Sequence, residues 1–327
     1  MARIFYLLLS EGGLTGGQKM VLRHVETLRE LGFDAAILLG NNSTAPARLD
    51  HSAPILTQQD KIRVDDVIVY PDDGRQALET SARRPERAIV FVQGAFTIAS
   101  QGAAAIEGRG PERLPPFIVV SKSLGARVKR IFPDAQVELV SCFADERRFS
   151  SDSVKRLQIV FSPRKRPSEV SAIRALFPRL HPRHAAIPWR ALENQTESQV
   201  AQALRESAVF LSLNRLESVG ITTLEAMRSG CVCAGFLGVG GLEYGTPENG
   251  FWVPDDDCEA AADALAQAVD LHLAGGPALN NYLADAQETA NLWSYARFRR
   301  ELEDVWMRLA PEARLSHLSL PPGQGNV

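Results

Sequence analysis

Short apolar runs separated by amphipathic stretches recur along the whole chain, and this rhythm restricts the fold more than any single motif. In the first half ARIFYLLLS, DAAILLG, DDVIVYP, RAIVFVQG, PPFIVVSKS and VELVS read as strands. Between the first two, GQKMVLRHVETLRELG places Met20, Val21, Val25, Leu28 and Leu31 near helical spacing, with Gly32 as its stop. The polar stretch FADERRFSSDSVKR then interrupts the pattern. Beyond it LQIVFS, HAAIPW, AVFLSL and CVCAGFL read as strands, and PSEVSAIRALF, ESQVAQALRES, TTLEAMRSG and DCEAAADALAQAVDLHL as helices. Strands alternating with helices predict parallel sheets covered on both faces. The expected organisation is α/β, with two Rossmann-like doubly wound units over residues 1–148 and 149–290. A terminal helix over 291–312 is expected to turn back toward the first unit, followed by a Pro- and Gly-rich tail, 313–327. Ligands of such sheets sit at the carboxyl ends of the strands, so the cleft between the units is the expected site.

Composition narrows the function classes. A chain of 327 residues, 45% hydrophobic, suffices for two cores. A net charge of -3 and a pI near 6.1 supply no global field for nucleic acid or an anionic membrane. The four cysteines lack paired spacing and the six histidines are scattered, so neither a zinc ribbon nor a disulfide framework is suggested. Asp255 and Asp257 form a DxD string, but Asp257 stands where a helix N-cap is expected, so no metal is implied. No segment approaches the ~20 apolar residues of a membrane span, and a cytoplasmic protein is expected. The basic segment SLGARVKRIF is a solvated helix face or a peripheral contact with a membrane-bound acceptor.

The glycine-rich GGLTGGQKM, residues 12–20, invites a phosphate-cradle reading and fails it. GxxxxGK(S/T) is matched by Gly12 and Gly17, but Gln18 occupies the lysine position and Met20 follows Lys19. GxGxxG is absent too. The stretch is expected to be a flexible turn lining the cleft, with Gly16 and Gly17 offering backbone N–H groups to a ligand.

The most informative segment is VFLSLNRLESVGITTLEAMRSGC, residues 209–231. An apolar strand ends, a polar loop carries Glu217, Gly220 permits close backbone approach, and a helix starts near Thr222 with Glu225 in its first turn. Free N–H groups at 220–223, aided by the helix dipole, suit an anion such as a diphosphate. Glu217 and Glu225 would flank it and accept hydroxyl hydrogen bonds on either side. A ligand with hydroxyls on both sides of a diphosphate is a nucleotide sugar. Singly, Thr222 and Glu225 also fit a capping box, and Glu217 a solvated loop acid. FSPRKRPSEV adds Arg164, Lys165 and Arg166 after a strand, the guanidinium and ammonium chemistry a pyrophosphate needs.

ESVGITTLEAMRSG resembles the E-x7-E region of the retaining GT-B glycosyltransferases, the glycosyl transferases group 1 that include sucrose and glycogen synthase-like enzymes. There the pattern is usually EGFGLxxxEAMAxG. Ser218, Val219 and Ile221 are the departures here. Gly240, Gly241, Glu243, Asn249, Gly250 and Asp257 match the family's downstream GGxxE and NGxxVxPxD patterns. The resemblance implies two units facing across a cleft and front-face transfer of a sugar from a nucleotide-diphosphate donor to a glycan or lipid-linked hydroxyl acceptor, without metal or cofactor. It places Glu217 near the donor sugar, the amides of the Ser218–Thr222 loop on the diphosphate, Glu225 on the ribose, and Arg164 and Lys165 on the departing group. Trp189 is a candidate border of the base or a core residue. VFVQGAFTIA has Gln93 where many relatives have a histidine. The alternatives are a nucleotide-sugar epimerase on the same scaffold and a catalytically silent nucleotide-sugar-binding protein.

Overall fold

The structure, a computed structural model, describes residues 2–9, 15–45, 48–57 and 61–315. Residues 12–14 of the glycine-rich stretch and the tail from 316 onward lie outside the described residues.

Seven strands form the first sheet: β1 Ile4–Leu8, β2 Ala35–Leu39, β3 Ile55–Leu56, β4 Val67–Pro71, β5 Arg87–Val92, β6 Phe117–Val119 and β7 Val137–Leu139. Five form the second: β8 Arg156–Phe161, β9 Trp189–Ala191, β10 Ser207–Leu213, β11 Val232–Phe236 and β12 Phe251–Val253. The orders are β3-β2-β1-β4-β5-β6-β7 and β12-β11-β10-β8-β9. All pairings between these strands are parallel; Ile4 lies opposite both Ala35 and Val67, and Val209 opposite Val232 and Ile159. In the first sheet the direction of winding reverses between β1 and β4, and in the second between β8 and β10. A crevice opens at such a reversal because the helices leaving the two strands go to opposite faces.

The helix Gly16–Glu30 follows β1 and shows why a sequence pattern can be right and incomplete. Met20, Val21, Val25 and Leu28 are buried as the spacing predicts, yet Lys19, Arg23 and His24 are buried too. A second face is therefore covered, and by the other half of the molecule. One apolar core runs from Ile4 and Phe91 through Phe149 to Leu224 and Met227, while the outer face of the second sheet keeps its own, around Ile173, Phe236 and Leu265.

Three expectations need correction. HAAIPW is not a strand: a 3-10 turn covers Pro182–His184, and pairing begins only at Trp189, after Pro188, which has no N–H to donate and contributes its carbonyl to Ile159. The terminal helix spans Tyr295–Leu309 rather than starting at 291, because Asn291 closes a separate helix, Gly276–Asn291. Ser294 starts the terminal helix by accepting from Arg297 N–H at 3.4 Å. The helix after Gly220 spans Ile221–Arg228 without a capping box, because Gly220 is the N-cap, Thr222 already lies within the helix, and Glu225 bonds Lys19.

The helix Tyr295–Leu309 crosses back to the first sheet. Trp306 lies fully buried 6.2 Å from Tyr6, and Phe298 sits 5.0 Å from His24 and 4.4 Å from Phe143. Where the chain leaves the first unit and where it returns, it is tied side by side. Ala144 N–H donates to Trp293 O at 2.8 Å, and Glu146 accepts from Tyr295 N–H at 2.6 Å and Ala296 N–H at 3.0 Å. Among the described residues no helix is long and apolar enough to cross a membrane.

Trp306→Ala should cost about 3–5 kcal/mol of unfolding free energy in urea titration, the usual result of emptying an aromatic site in a core. His24 is a second handle. Burial lowers its pKa to about 3, so the ring is neutral in the fold while an unfolded chain takes up a proton below the ordinary value of 6.5. Its contribution is fully present above pH 6.5 and is lost as pH falls toward 3. The stability of His24→Gln should accordingly fall less steeply than the parent's between those limits.

Candidate functional site

The two reversal points face each other. A cavity of about 630 Å³ lies between them, bounded by Gly16, Gly17, Asp72 and Gln93 on one side and by Arg164, Lys165 and the 214–222 loop on the other. A smaller chamber of about 350 Å³ continues beside it along Lys19, Arg164, Glu193, Glu197, Thr222 and Glu225.

Lys165 and Glu217 meet in this cleft, Nζ to Oε1 at 2.8 Å, and the other Glu217 oxygen accepts from Arg215 N–H at 2.7 Å. Arg164 borders both spaces, is exposed, and has no hydrogen-bond or ion-pair partner among the described residues. Arg166 turns away. Its guanidinium is buried, donating to Asn214 O at 2.9 Å and Asp255 at 2.9 Å and lying 4.6 Å over the Phe236 ring. It braces the strand end from beneath, leaving Arg164 and Lys165 as the cleft cations.

The loop after β10 is shaped by close contacts. Gly220 has φ +78°, and a Cβ there would stand 2.3 Å from the Asn214 amide nitrogen. Asn214 donates to Thr223 Oγ1 at 3.1 Å, and Tyr244 OH donates to Gly220 O at 3.1 Å, which holds the loop against the helix start. The N–H groups of Ile221 and Thr222 open the helix without intrahelical acceptors. Val219 is buried, and the Ser218 hydroxyl is enclosed without a partner among the described residues. Gly240 permits the next turn to lie against Ser218, since a Cβ would fall 2.2 Å from the Ser218 carbonyl carbon. Glu243 reaches the first unit, accepting from Ser123 N–H at 2.6 Å, while Asn249 donates to Tyr244 O at 2.6 Å. The downstream motif is thus scaffold for the loop.

Glu225 is held from across the cleft, and the glycines differ from expectation. Glu225 is only 4% exposed, and its Oε1 accepts from Lys19 Nζ at 2.5 Å. Lys19 also bridges Glu197 at 2.7 Å, and Arg23 reaches Glu197 at 2.5 Å. Burial opposes charge on Lys19, but the two carboxylates outweigh it and raise its pKa. Burial likewise pushes the Glu225 carboxyl up, against the pull of Lys19. Gly16 and Gly17 are not a flexible turn: they form the first helical turn, because Thr15 and Gln18 close a reciprocal capping box. Gln93 Nε2 donates to Gly17 O at 3.0 Å. Trp189 does not border the cleft; it packs 5.7 Å from both Phe161 and Phe177.

Lys19, Glu197 and Asp72 escape the sequence reading. Lys19 and Arg23, four apart among the buried residues of the helix, are the stripe that marks a charged seam. Asp72, after β4, is pushed up to about 6 by burial, against hydrogen bonds from Thr97, Gln93 N–H and Gly94 N–H, and it fixes the turn carrying Gln93. Among the described residues no group of three or more His, Cys, Asp or Glu is placed to hold a metal.

The family model "Glycosyl transferases group 1" matches residues 171–271. An alpha-1,6-glucosyltransferase of Actinobacillus pleuropneumoniae serotype 7 (strain AP76) is 27% identical over 303 residues, 89% of this chain and 91% of that one. The sucrose-phosphate synthase structure from Thermosynechococcus elongatus superposes with TM-score 0.69 at 14% identity, covering 95% of this chain and 100% of the other. The fold is GT-B. A second GT-B neighbour, Anabaena HepE in complex with UDP-glucose, gives TM-score 0.66 at 12% identity over 94% of this chain and 100% of its own. Against S. aureus TarM the TM-score is 0.61 at 14% identity over 77% of this chain, which spans 57% of that one. The family model and the relative support a glycosyltransferase.

Gly220→Ala should destabilise the protein by roughly 1–3 kcal/mol, the range for a side chain forced into a left-handed, crowded position. Gly16→Ala, whose Cβ would meet nothing closer than Ile221 Cδ1 at 3.9 Å, should change stability by less than about 0.5 kcal/mol in the same urea assay.

Proposed function

We propose that this GT-B chain is a retaining hexosyltransferase that takes its sugar from a nucleotide-diphosphate donor and delivers it to a hydroxyl of a glycan or lipid-linked acceptor. The observation that carries the reading is the convergence, at the reversal point of the second sheet and facing that of the first, of an arginine without a partner among the described residues, a lysine held by Glu217, and the free amides of Ile221 and Thr222. A diphosphate is the group this set suits. The amides and the helix dipole receive its charge, and Arg164 can take two oxygens at once.

In the reaction proposed, the bond from the anomeric carbon to the diphosphate oxygen breaks while the acceptor oxygen bonds to the same face. The acceptor's proton passes to the departing phosphate oxygen. The protein's part is orientation and stabilisation of the leaving charge, which Arg164 and Lys165 supply as donors already in place. Glu217, anchored by Lys165 and Arg215 N–H, stands where it can orient the sugar, and neither metal nor cofactor enters the scheme. The relative's name favours glucose and an α linkage, and the UDP-glucose complex of the neighbour favours a uridine donor. Transfer from α-linked UDP-glucose into an α linkage is retention.

With UDP-glucose as donor, Arg164→Ala should lower kcat/KM at least about a hundredfold, the usual loss when one donor to a developing anion is removed. Its thermal unfolding should match the parent's, since Arg164 is exposed. Proton NMR of fresh product should show the donor's anomeric configuration. An inverted product would sink the retaining assignment, and an Arg164→Ala enzyme as fast as the parent would sink the diphosphate site.

A further inference from the structure

Glu197 and Glu225 lie side by side and are neutralised unequally. Glu197 is met by three cations: Lys19 at 2.7 Å, Arg23 at 2.5 Å and Arg148 at 3.2 Å. Among the described residues Glu225 is met by Lys19 alone, at 2.5 Å from Oε1. Its second oxygen has no protein partner among the described residues, although the side chain borders the 350 Å³ chamber beside Arg164 and Thr222. Lys19 belongs to the opposite unit, and its Nζ lies 5.2 Å over the Phe149 ring, in surroundings that keep bulk water away.

A carboxyl buried this deeply ionises only if a cation stands beside it. Protonated, it would offer one donor and weak acceptors; ionised and held by one oxygen, it offers the other as a strong, directed acceptor. A pair of neighbouring hydroxyls is the ligand chemistry that uses such an oxygen. Glu197, ion-paired with three cations and with its Oε1 sealed from solvent, has nothing comparable to offer.

We propose that Lys19 is a positioning residue for nucleotide recognition. It reaches across from the first unit, fixes Glu225 through one carboxylate oxygen, and leaves the other for the vicinal hydroxyls of the nucleotide's ribose. The inference rests on the nucleotide-sugar reading given under Proposed function. It adds that the ribose subsite is assembled from both halves of the molecule and is complete only while the first unit's helix is docked.

Calorimetric titration of the full chain with UDP and with 2′,3′-dideoxy-UDP tests this, using the parent, Lys19→Met and Lys19→Arg. The parent should bind the dideoxy ligand about tenfold more weakly, the worth of a charge-assisted hydrogen bond. In Lys19→Met that ratio should collapse to below about twofold because UDP loses affinity and the dideoxy ligand does not, and Lys19→Arg should restore most of it. If Lys19→Met does not fold, Lys19→Gln reads the same ratio with hydrogen bonds kept and charge removed. Equal weakening of both ligands, with the ratio intact, would show that Lys19 only braces the fold and would overturn the proposal. A parent that binds UDP without distinguishing the two ligands overturns it as well. A parent that binds neither these nor any other nucleoside diphosphate refutes instead the nucleotide-sugar reading beneath it.

Discussion

Taking an ammonium and two carboxylates out of water costs several kcal/mol per charge, and the cost is recovered only if partners meet at hydrogen-bond distance with little freedom to shift. Lys19, Glu197 and Glu225 satisfy that condition, and they do so with the cation from one half and the acids from the other. The docking of the helix Gly16–Glu30 on the second unit is thereby given one register. Arg23, one turn along, repeats the contact with Glu197, so the helix is fixed in rotation as well as in place. The cleft's shape follows, because Gly16 and Gly17 begin the same helix that carries the cations.

The opposite wall is held by a different device. Arg166 sits beneath the strand ends, tying Asn214 to the 255–256 turn, and Asn214 in turn abuts Gly220. Gly240 lets the following turn close over Ser218. Three neighbouring segments thus hold one loop in a shape that points backbone amides into the cleft. A loop so constrained needs little further ordering when an anion arrives, and this is where preorganised donors gain their strength.

The strands were legible because runs such as IFYLL and AVFLSL are too apolar for any other position. β3 and β12, two and three residues long, carry no such signal. The helix Gly276–Asn291 went unread because GPALNNYLADAQETAN buries only Tyr282, Ala286 and Ala290, too thin a stripe to stand out. In the site, Arg164, Lys165 and Glu217 were legible because each follows directly on a recognisable strand. The role of Lys19 was not: its partner Glu225 lies 206 positions away, and local spacing made it look like a misplaced phosphate-loop lysine. The basic run PRKR shows the same limit, since only the fold reveals that its last arginine faces inward.

The chain passes between the units twice, once near Ala144 and once near Trp293, and the two passages are hydrogen-bonded to each other. Two covalent connections set far apart would clamp the halves rigidly; two set side by side behave as a single hinge pin. Sliding and twisting of one unit against the other are resisted by both passages together, whereas swinging about their common line strains neither. The one rotation that spares both passages, about the seam between Ala144 and Trp293, would have to part Lys19 from Glu197 and Glu225.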